Sequence, residues 1–386
     1  MTTTARLVVK DGDLLAALRG FASQVIDLDN ISAILAPWRL PMKNTVMPTL
    51  LTNTDRLDGI DPLSPAFPLN GAKVVSRLTR KPPGGKIAVL LRPCELRAFH
   101  ELVKLKQGRV EDVILISIDC LGAYTNRDYH EWGSDDPDAD TKTFYTHILA
   151  GNQTPLTNTD NTPIELAAAC RACEFPVAKG ADISVGLFGV DNAAMLLLEG
   201  RTPAGEELLN SLEYDQTDPP AAREKAVKDL VEKRVAVRDQ MLAETQDATD
   251  SLEKLTAYLA GCVNCYNCRV ACPVCYCREC VFVTDVFDHN PSQYLRWAEK
   301  KGAIKIPTDT VLFHITRMVH MSTACVGCGQ CSNACPNDIP VMELFRSAAQ
   351  GTQAAFGYEA GRSLDEAPPM SEFREEEFEE VVGLGS

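Results

Sequence analysis

Two cysteine runs of identical spacing, Cys262-x-x-Cys265-x-x-Cys268-x-x-x-Cys272-Pro273 and Cys325-x-x-Cys328-x-x-Cys331-x-x-x-Cys335-Pro336, constrain this chain more than any other feature. Three thiolates within seven residues can wrap one iron–sulfur cubane, and in chains with two such runs the fourth cysteine, the one before proline, ligates the other cluster. The spacing therefore predicts one [4Fe–4S] cluster on Cys262, Cys265, Cys268 and Cys335, and a second on Cys325, Cys328, Cys331 and Cys272. Crossed pairing also implies that the two clusters lie close enough for fast electron transfer. A pair of zinc sites is the competing reading, but zinc needs only four ligands and no terminal Cys-Pro.

Fifteen cysteines occur in 386 residues. The opening Met1-Thr-Thr-Thr-Ala-Arg lacks the basic-then-apolar order of a secretory signal, so a cytoplasmic, reduced setting is expected. There an odd, clustered set of cysteines ligates metal rather than forming a disulfide framework. The 38 Lys and Arg against 53 Asp and Glu leave a net charge of −15, which disfavours nucleic acid and anionic lipid surfaces. The longest apolar runs, 87–91 and 193–198, are core-strand length, so no transmembrane segment is expected.

Eleven of the cysteines fall between 262 and 335, the other four at 94, 120, 170 and 173, which divides the chain into two chemically different halves. In the first, 86–91 and 113–118 read as buried strands flanking a helix that starts at Pro93. This βαβ-like order places Cys94 and Cys120 just past strand ends, where open α/β sheets build their sites. A strand pair is expected over 183–190 and 193–199, turning at Asp191-Asn192. Residues 221–243 read as a long amphipathic connecting helix. Helices are expected over 252–260, 293–301, 311–321 and 341–349, and across much of the 52 residues that separate Cys272 from Cys325.

That long spacer makes the second half similar to the α-helical ferredoxin arrangement of heterodisulfide-reductase and succinate-dehydrogenase iron–sulfur subunits. The expected fold class is thus an α/β (α+β) flavin domain followed by an α-helical ferredoxin domain with two [4Fe–4S] motifs. Its bounds are 1–220, a connecting helix over 221–250, the ferredoxin domain over 251–350, and an acidic tail over 351–386. From Ser371 onward the tail holds six Glu against one Arg, either a solvated end or an arm on a partner subunit. Cys275, Cys277 and Cys280 are left over; with Cys272 they supply enough thiolates for an additional cluster, and otherwise are structural. His314 and His320 read as packing or hydrogen-bond donors near the clusters rather than ligands.

Cys170-Arg-Ala-Cys173 is a lone CxxC, a weak signal that gains weight because Cys94 and Cys120 bring the total to four thiolates. The stretches Leu91-Arg-Pro-Cys94-Glu-Leu-Arg-Ala, Ile118-Asp-Cys120-Leu-Gly, Cys170-Arg-Ala-Cys173-Glu-Phe, Ala181-Asp-Ile-Ser-Val-Gly186 and Thr202-Pro-Ala-Gly205-Glu-Glu-Leu-Leu carry a further likeness. In this order they resemble the β-subunit family of deazaflavin-reducing hydrogenases and of formate dehydrogenases, over most of residues 40–215. The resemblance implies FAD beside one [4Fe–4S] cluster on Cys94, Cys120, Cys170 and Cys173, with hydride exchanged between the flavin and a deazaflavin or nicotinamide coenzyme. Several relatives carry their ferredoxin motifs before the flavin domain; here both follow it.

No Gly-x-Gly-x-x-Gly or P-loop run is present, so flavin ligands must come from a family-specific mode. The candidates are Lys43, Asn44, Thr45, Thr79, Arg80, Arg92 and the stretch 184–191, in which Ser184 is polar and Gly186 and Gly189 permit close backbone approach. A flavin converts two-electron hydride chemistry into the one-electron steps of cubanes. The resulting expectation is a β subunit of a multi-subunit oxidoreductase that passes electrons between a soluble hydride carrier and a chain of three clusters, or four if Cys275, Cys277 and Cys280 bind iron. Its partner is a catalytic α subunit of formate dehydrogenase or hydrogenase type, with heterodisulfide-reductase-like subunits as further partners. The alternative is a non-catalytic electron-transfer adaptor with no hydride substrate of its own.

Overall fold

Runs such as Lys-Ile-Ala-Val-Leu-Leu and Val-Ile-Leu-Ile-Ser-Ile can stay extended only if both faces are covered, because they are apolar without alternation. The computed structural model describes residues 3–41, 45–152 and 154–372. In it these runs lie at the middle of a seven-stranded sheet: β1 (Thr3–Val8), β2 (Ile31–Arg39), β3 (Val46–Leu51), β4 (Lys86–Leu91), β5 (Val113–Ile118), β6 (Ile183–Gly186) and β7 (Met195–Gly200). The spatial order is β1-β7-β6-β5-β4-β2-β3. The central pairs β2–β4, β4–β5 and β5–β6 are parallel, in registers such as Ile87↔Val113 and Ile116↔Ile183, and the edges are closed by antiparallel partners.

Among the helices that surround and extend this sheet are α1 (Leu14–Ile26), α2 (Ala72–Leu78), α3 (Pro93–Lys104), α4 (Ala222–Thr249), α5 (Pro291–Lys301), α6 (Thr310–Met321) and α7 (Val341–Ala355). α3 starts where its sequence dictates. Pro93 occupies the first helical position, and the Glu95 carboxylate accepts the N–H of Arg92 at 2.8 Å and that of Gly71 at 2.6 Å. Residues 95–102 of this helix are all buried, which a helix on a sheet surface cannot be unless a second layer covers its outer side.

The second half of the chain is that layer. On one sheet face α1 packs through Leu18 and Phe21 onto Ile34, Ile116 and Leu198. On the other, a core runs from Leu35, Val89 and Leu115 through Leu96 and Phe99 to Phe313, Phe345 and Tyr358. Polar bonds cross the same seam. Arg97 donates to the carbonyls of Val326 and Ala360, Gln330 to that of Phe67, and Lys73 to that of Val270. The molecule is a mixed α/β N-terminal region and a mostly helical C-terminal region sharing one core.

Four expectations are revised. The strand expected over 183–190 ends at Gly186, because the amides of Leu187 and Phe188 turn to the Asp119 carboxylate at 2.8 and 3.1 Å instead of continuing the ladder. The connecting helix is 28 residues long and is not amphipathic in the ordinary sense: its buried residues are Arg223, Arg234, Leu242 and Thr245, so arginines anchor it where an apolar stripe was expected. Between Cys272 and Cys325, α5 and α6 supply only 11 and 12 residues, and much of the rest is irregular with two 3₁₀ turns. α7 runs to Ala355, and Tyr358 and Ala360 behind it are buried, so the span assigned to a tail from 351 begins as part of the core. Residues from 373 lie outside the described residues, and no helix among the described residues is long and apolar enough to cross a membrane.

Candidate metal centres and cofactor cavity

The four first-half cysteines come from three separate elements. Cys94 is the second residue of α3, Cys120 follows β5, and Cys170 and Cys173 lie in and just after the short helix Ala168–Arg171. They line one pocket together with Phe67 and Arg92. Gly122, at φ +99°, makes the turn beside Cys120, and a Cβ there would stand 3.3 Å from Cys170 Cβ, so the chain can pass this close only as glycine.

Burial and neighbouring thiols favour the protonated form of Cys94, Cys170 and Cys173. Burial pushes Cys170 up to about 12, with Cys120 adding to it, and raises Cys94 well above the ordinary thiol value for the same two reasons. Cys173 is also raised by burial, although Arg234 and Arg346 pull it down. A bound cation of high charge would replace the protons on such thiols, and iron supplies such charge. Arg92 assists. Its guanidinium donates to the carbonyls of Ser64 at 2.6 Å and Gly122 at 3.0 Å and lies 4.8 Å above the Phe67 ring, and burial would lower its affinity for a proton were it not outweighed by Cys120, Glu95 and Cys94.

The two runs of the second half interleave. Cys262, Cys265 and Cys268 line a cavity of about 330 Å³ whose other cysteine is Cys335, from the second run. Cys272, from the first run, is the charge acting most strongly on the buried thiols of Cys325, Cys328 and Cys331. Cys328 also lines the first-half cavity and acts on Cys94. The three thiol sets thus adjoin in the order Cys94 set, Cys325 set, Cys262 set. Among the described residues no three His, Cys, Asp or Glu close on a single ion; the Cys94 and Cys262 sets instead line pockets.

Cys275 has Cys272 and Cys277 as neighbours, Cys277 is exposed and Cys280 is half-buried. His314 Nε2 lies 3.4 Å from Cys262 Sγ, and burial, with Arg317 and Lys305 nearby, pushes the imidazole down to about 4, so it is neutral at ordinary pH.

The candidate flavin residues separate. Lys43 and Asn44 lie outside the described residues. Thr45 closes the β2–β3 turn, its carbonyl accepting the N–H of Leu40 at 3.0 Å. Thr79 is buried at the end of α2, donating to the Val75 carbonyl and accepting from Arg109 N, while Arg80 is exposed. Ser184 sits opposite Ser117 within the sheet, its buried hydroxyl without a hydrogen-bond partner. Gly186 and Gly189 give room to this chain's own Arg223: a Cβ on Gly186 would meet its guanidinium at 2.8 Å, and one on Gly189 its Cα at 2.5 Å. Arg92 lines both the thiol pocket and a neighbouring one at the C-terminal ends of β4 and β5, with Pro37, Leu63, Asp119 and Cys120. Sequence reasoning missed Arg234, Arg317 and Arg346. Their only signal is an arginine inside a stretch of apolar helix, as in Leu344-Phe345-Arg346.

Residues 84–219 match the family described as the C terminus of the coenzyme F420 hydrogenase/dehydrogenase beta subunit. Residues 318–341 match the 4Fe-4S binding domain. Beyond the family stretch itself, the chain is 25% identical to the F420-dependent formate dehydrogenase subunit beta of Methanocaldococcus jannaschii, over 94% of this chain and 96% of that protein. It is 26% identical to the F420-dependent formate dehydrogenase 1 subunit beta of Methanococcus maripaludis, over 94% of each. A chain of the F420-reducing [NiFe] hydrogenase complex from Methanosarcina barkeri superposes with a TM-score of 0.44 at 12% identity, covering 66% of this chain and 94% of that one.

Proposed function

We propose that this protein is the iron–sulfur and flavin β subunit of a multi-subunit oxidoreductase of the formate dehydrogenase or hydrogenase type. The observation that carries the proposal is the series of three adjoining sets of four cysteines, which suits three [4Fe–4S] clusters laid end to end. Cys94, Cys120, Cys170 and Cys173 would hold the first, Cys325, Cys328, Cys331 and Cys272 the middle one, and Cys262, Cys265, Cys268 and Cys335 the last. The donor sets fit: each is all-thiolate, the ligand chemistry of such clusters.

FAD belongs at the strand-end cavity beside the first set, where it would supply the exchange between hydride and single electrons. Arg92 is a half-buried cation between that pocket and the thiols, and Pro37, Leu63 and Leu121 give the pocket apolar walls. Arg92 is thus placed to hold negative charge developing on a bound ring while its carbonyl contacts keep it fixed. Residues 1–220 then form the hydride-side unit and 251–350 the cluster-side unit, joined by 221–250, and a soluble hydride carrier and a catalytic α subunit are the partners. The relatives' printed names make F420 the first carrier to test.

Anaerobically purified protein should contain iron and flavin and should be bleached by the reduced deazaflavin coenzyme or by a reduced nicotinamide. Protein that carries its clusters and flavin yet is reduced by neither carrier would be an electron-transfer adaptor instead.

A further inference from the structure

Arg317 carries a charge that the fold buries without an acid. Its side chain lies on α6, the residue is 3% exposed, and among the described residues no carboxylate stands within ion-pair distance of it. One nitrogen donates to Cys268 Sγ at 3.0 Å and the other terminal nitrogen to the Cys268 carbonyl at 3.1 Å, while Nε has no partner. Phe345 and Phe313 lie against the guanidinium at 4.6 and 5.4 Å and keep water away. Such a burial is tolerated only where something else provides negative charge.

The thiols around it can. Arg317 acts on Cys268, on Cys331 of the middle set, and on Cys275. Its hydrogen bond goes to only one of the two clusters, that of Cys268, and Cys331 feels it through charge alone. Gaining an electron makes a thiolate-ligated cluster more negative. Hydrogen bonds to its sulfurs and a fixed cation in a water-poor site therefore favour the reduced state.

We propose that Arg317 is a positioning residue for electrons: it raises the reduction potential of the cluster on Cys262, Cys265, Cys268 and Cys335, and so favours an electron resting at the outermost site. The inference rests on the cluster assignment given under the proposed function.

The test compares the anaerobic holoprotein with Arg317→Gln and Arg317→Lys, measuring iron content and the reduced-to-oxidised ratio of each cluster by electron paramagnetic resonance at a fixed poise. The resonance lost in Cys265→Ser identifies the outermost cluster. Loss of a hydrogen bond to a charged group should lower that cluster's reduced-to-oxidised ratio about tenfold in Arg317→Gln, equivalent to about 59 mV for one electron. Arg317→Lys should fall between, since it keeps the charge and loses the fork. Wild-type protein without iron would remove the cluster assignment itself. Iron-loaded variants with unchanged ratios would overturn the role of Arg317, as would loss of the cluster from both variants, which would make the residue structural only.

Discussion

The fork between Arg223 and Asp119 offers the sharpest test of how the first-half site is held. Arg223, in the first turn of α4, places Nη1 2.7 Å from Asp119 Oδ2 and Nη2 3.2 Å from Oδ1, and reaches the Phe188 carbonyl at 3.2 Å. The Asp119 side chain is 1% exposed. Replacing Arg223 with Met strands a buried carboxylate, and removing one side of such a pair costs roughly 3–5 kcal/mol. Asp119 keeps the amides of Leu187 and Phe188, and Glu199 keeps Arg201, so the lower end is expected. About 3 kcal/mol corresponds to about a hundredfold in an opening equilibrium. Hydrogen exchange suits this better than a melting temperature, because a chain of this size need not unfold in one step. Amides of β6 and of the first turns of α4 should exchange about a hundredfold faster in Arg223→Met, and the Cys170–Cys173 site should lose iron early, since α4 also carries Arg234 beside it. Adding Asp119→Asn should recover much of the loss, because no unpaired charge is then left behind. Exchange within about threefold of the parent in the single variant, or no recovery in the double, would refute the reasoning.

Other expectations follow from the same geometry. Anaerobic protein should hold about 12 iron atoms per chain, four in each of three clusters; about eight would eliminate the first-half site, and about 16 would bring in Cys275, Cys277 and Cys280. Cys272→Ser should perturb the cluster of the Cys325 set and Cys335→Ser that of the Cys262 set, and spectra showing each variant silencing its own run would disprove the crossed pairing. Burial pushes the Glu174 carboxyl up, but Arg346 and Arg238 hold it below the usual range, so its stabilisation is present above the ordinary carboxylate pKa and lost as pH falls through the lower folded value. Glu174→Gln should accordingly flatten the acid limb of the stability profile, and an unaltered limb would count against the ion pair. Tyr358→Phe removes the hydroxyl that donates to Glu101 at 2.6 Å, a bond to a charged group worth about 1.5–3 kcal/mol. Limited proteolysis should then cut residues 356–372 sooner; identical cutting rates would show that this strap is held elsewhere.

The cysteines were legible because their chemistry and their spacing are both written in the chain, and β4, α3 and β5 because apolar runs and a Pro-x-Glu helix start have few alternative readings. What the linear pattern hides is who fills a space. Gly186 and Gly189 announce that something comes close, and the sequence offered a cofactor; the occupant is Arg223, some thirty-five residues away along the chain. Thr79 looks like a polar ligand and spends its hydroxyl capping α2. The connecting helix was misjudged for a related reason: arginine counts as polar in a periodicity argument, yet Arg223 and Arg234 are the residues it buries. Arg317 and Arg346 were invisible because their partners, Cys268 for the one and the Ala172 carbonyl and Glu174 for the other, are brought to them only by the fold.

The outer side of α3 has a consequence for how the protein is made. Arg97, His100 and Glu101 are buried there against Val326, Ala360 and Gly361. These late-arriving partners leave the ribosome roughly 10–50 s after α3 at ordinary elongation rates. Throughout that delay the helix shows solvent a charged flank instead of a greasy one. A nascent chain waiting for its second half can thus stay dissolved with its sheet already formed, and water is the placeholder that the C-terminal strap displaces.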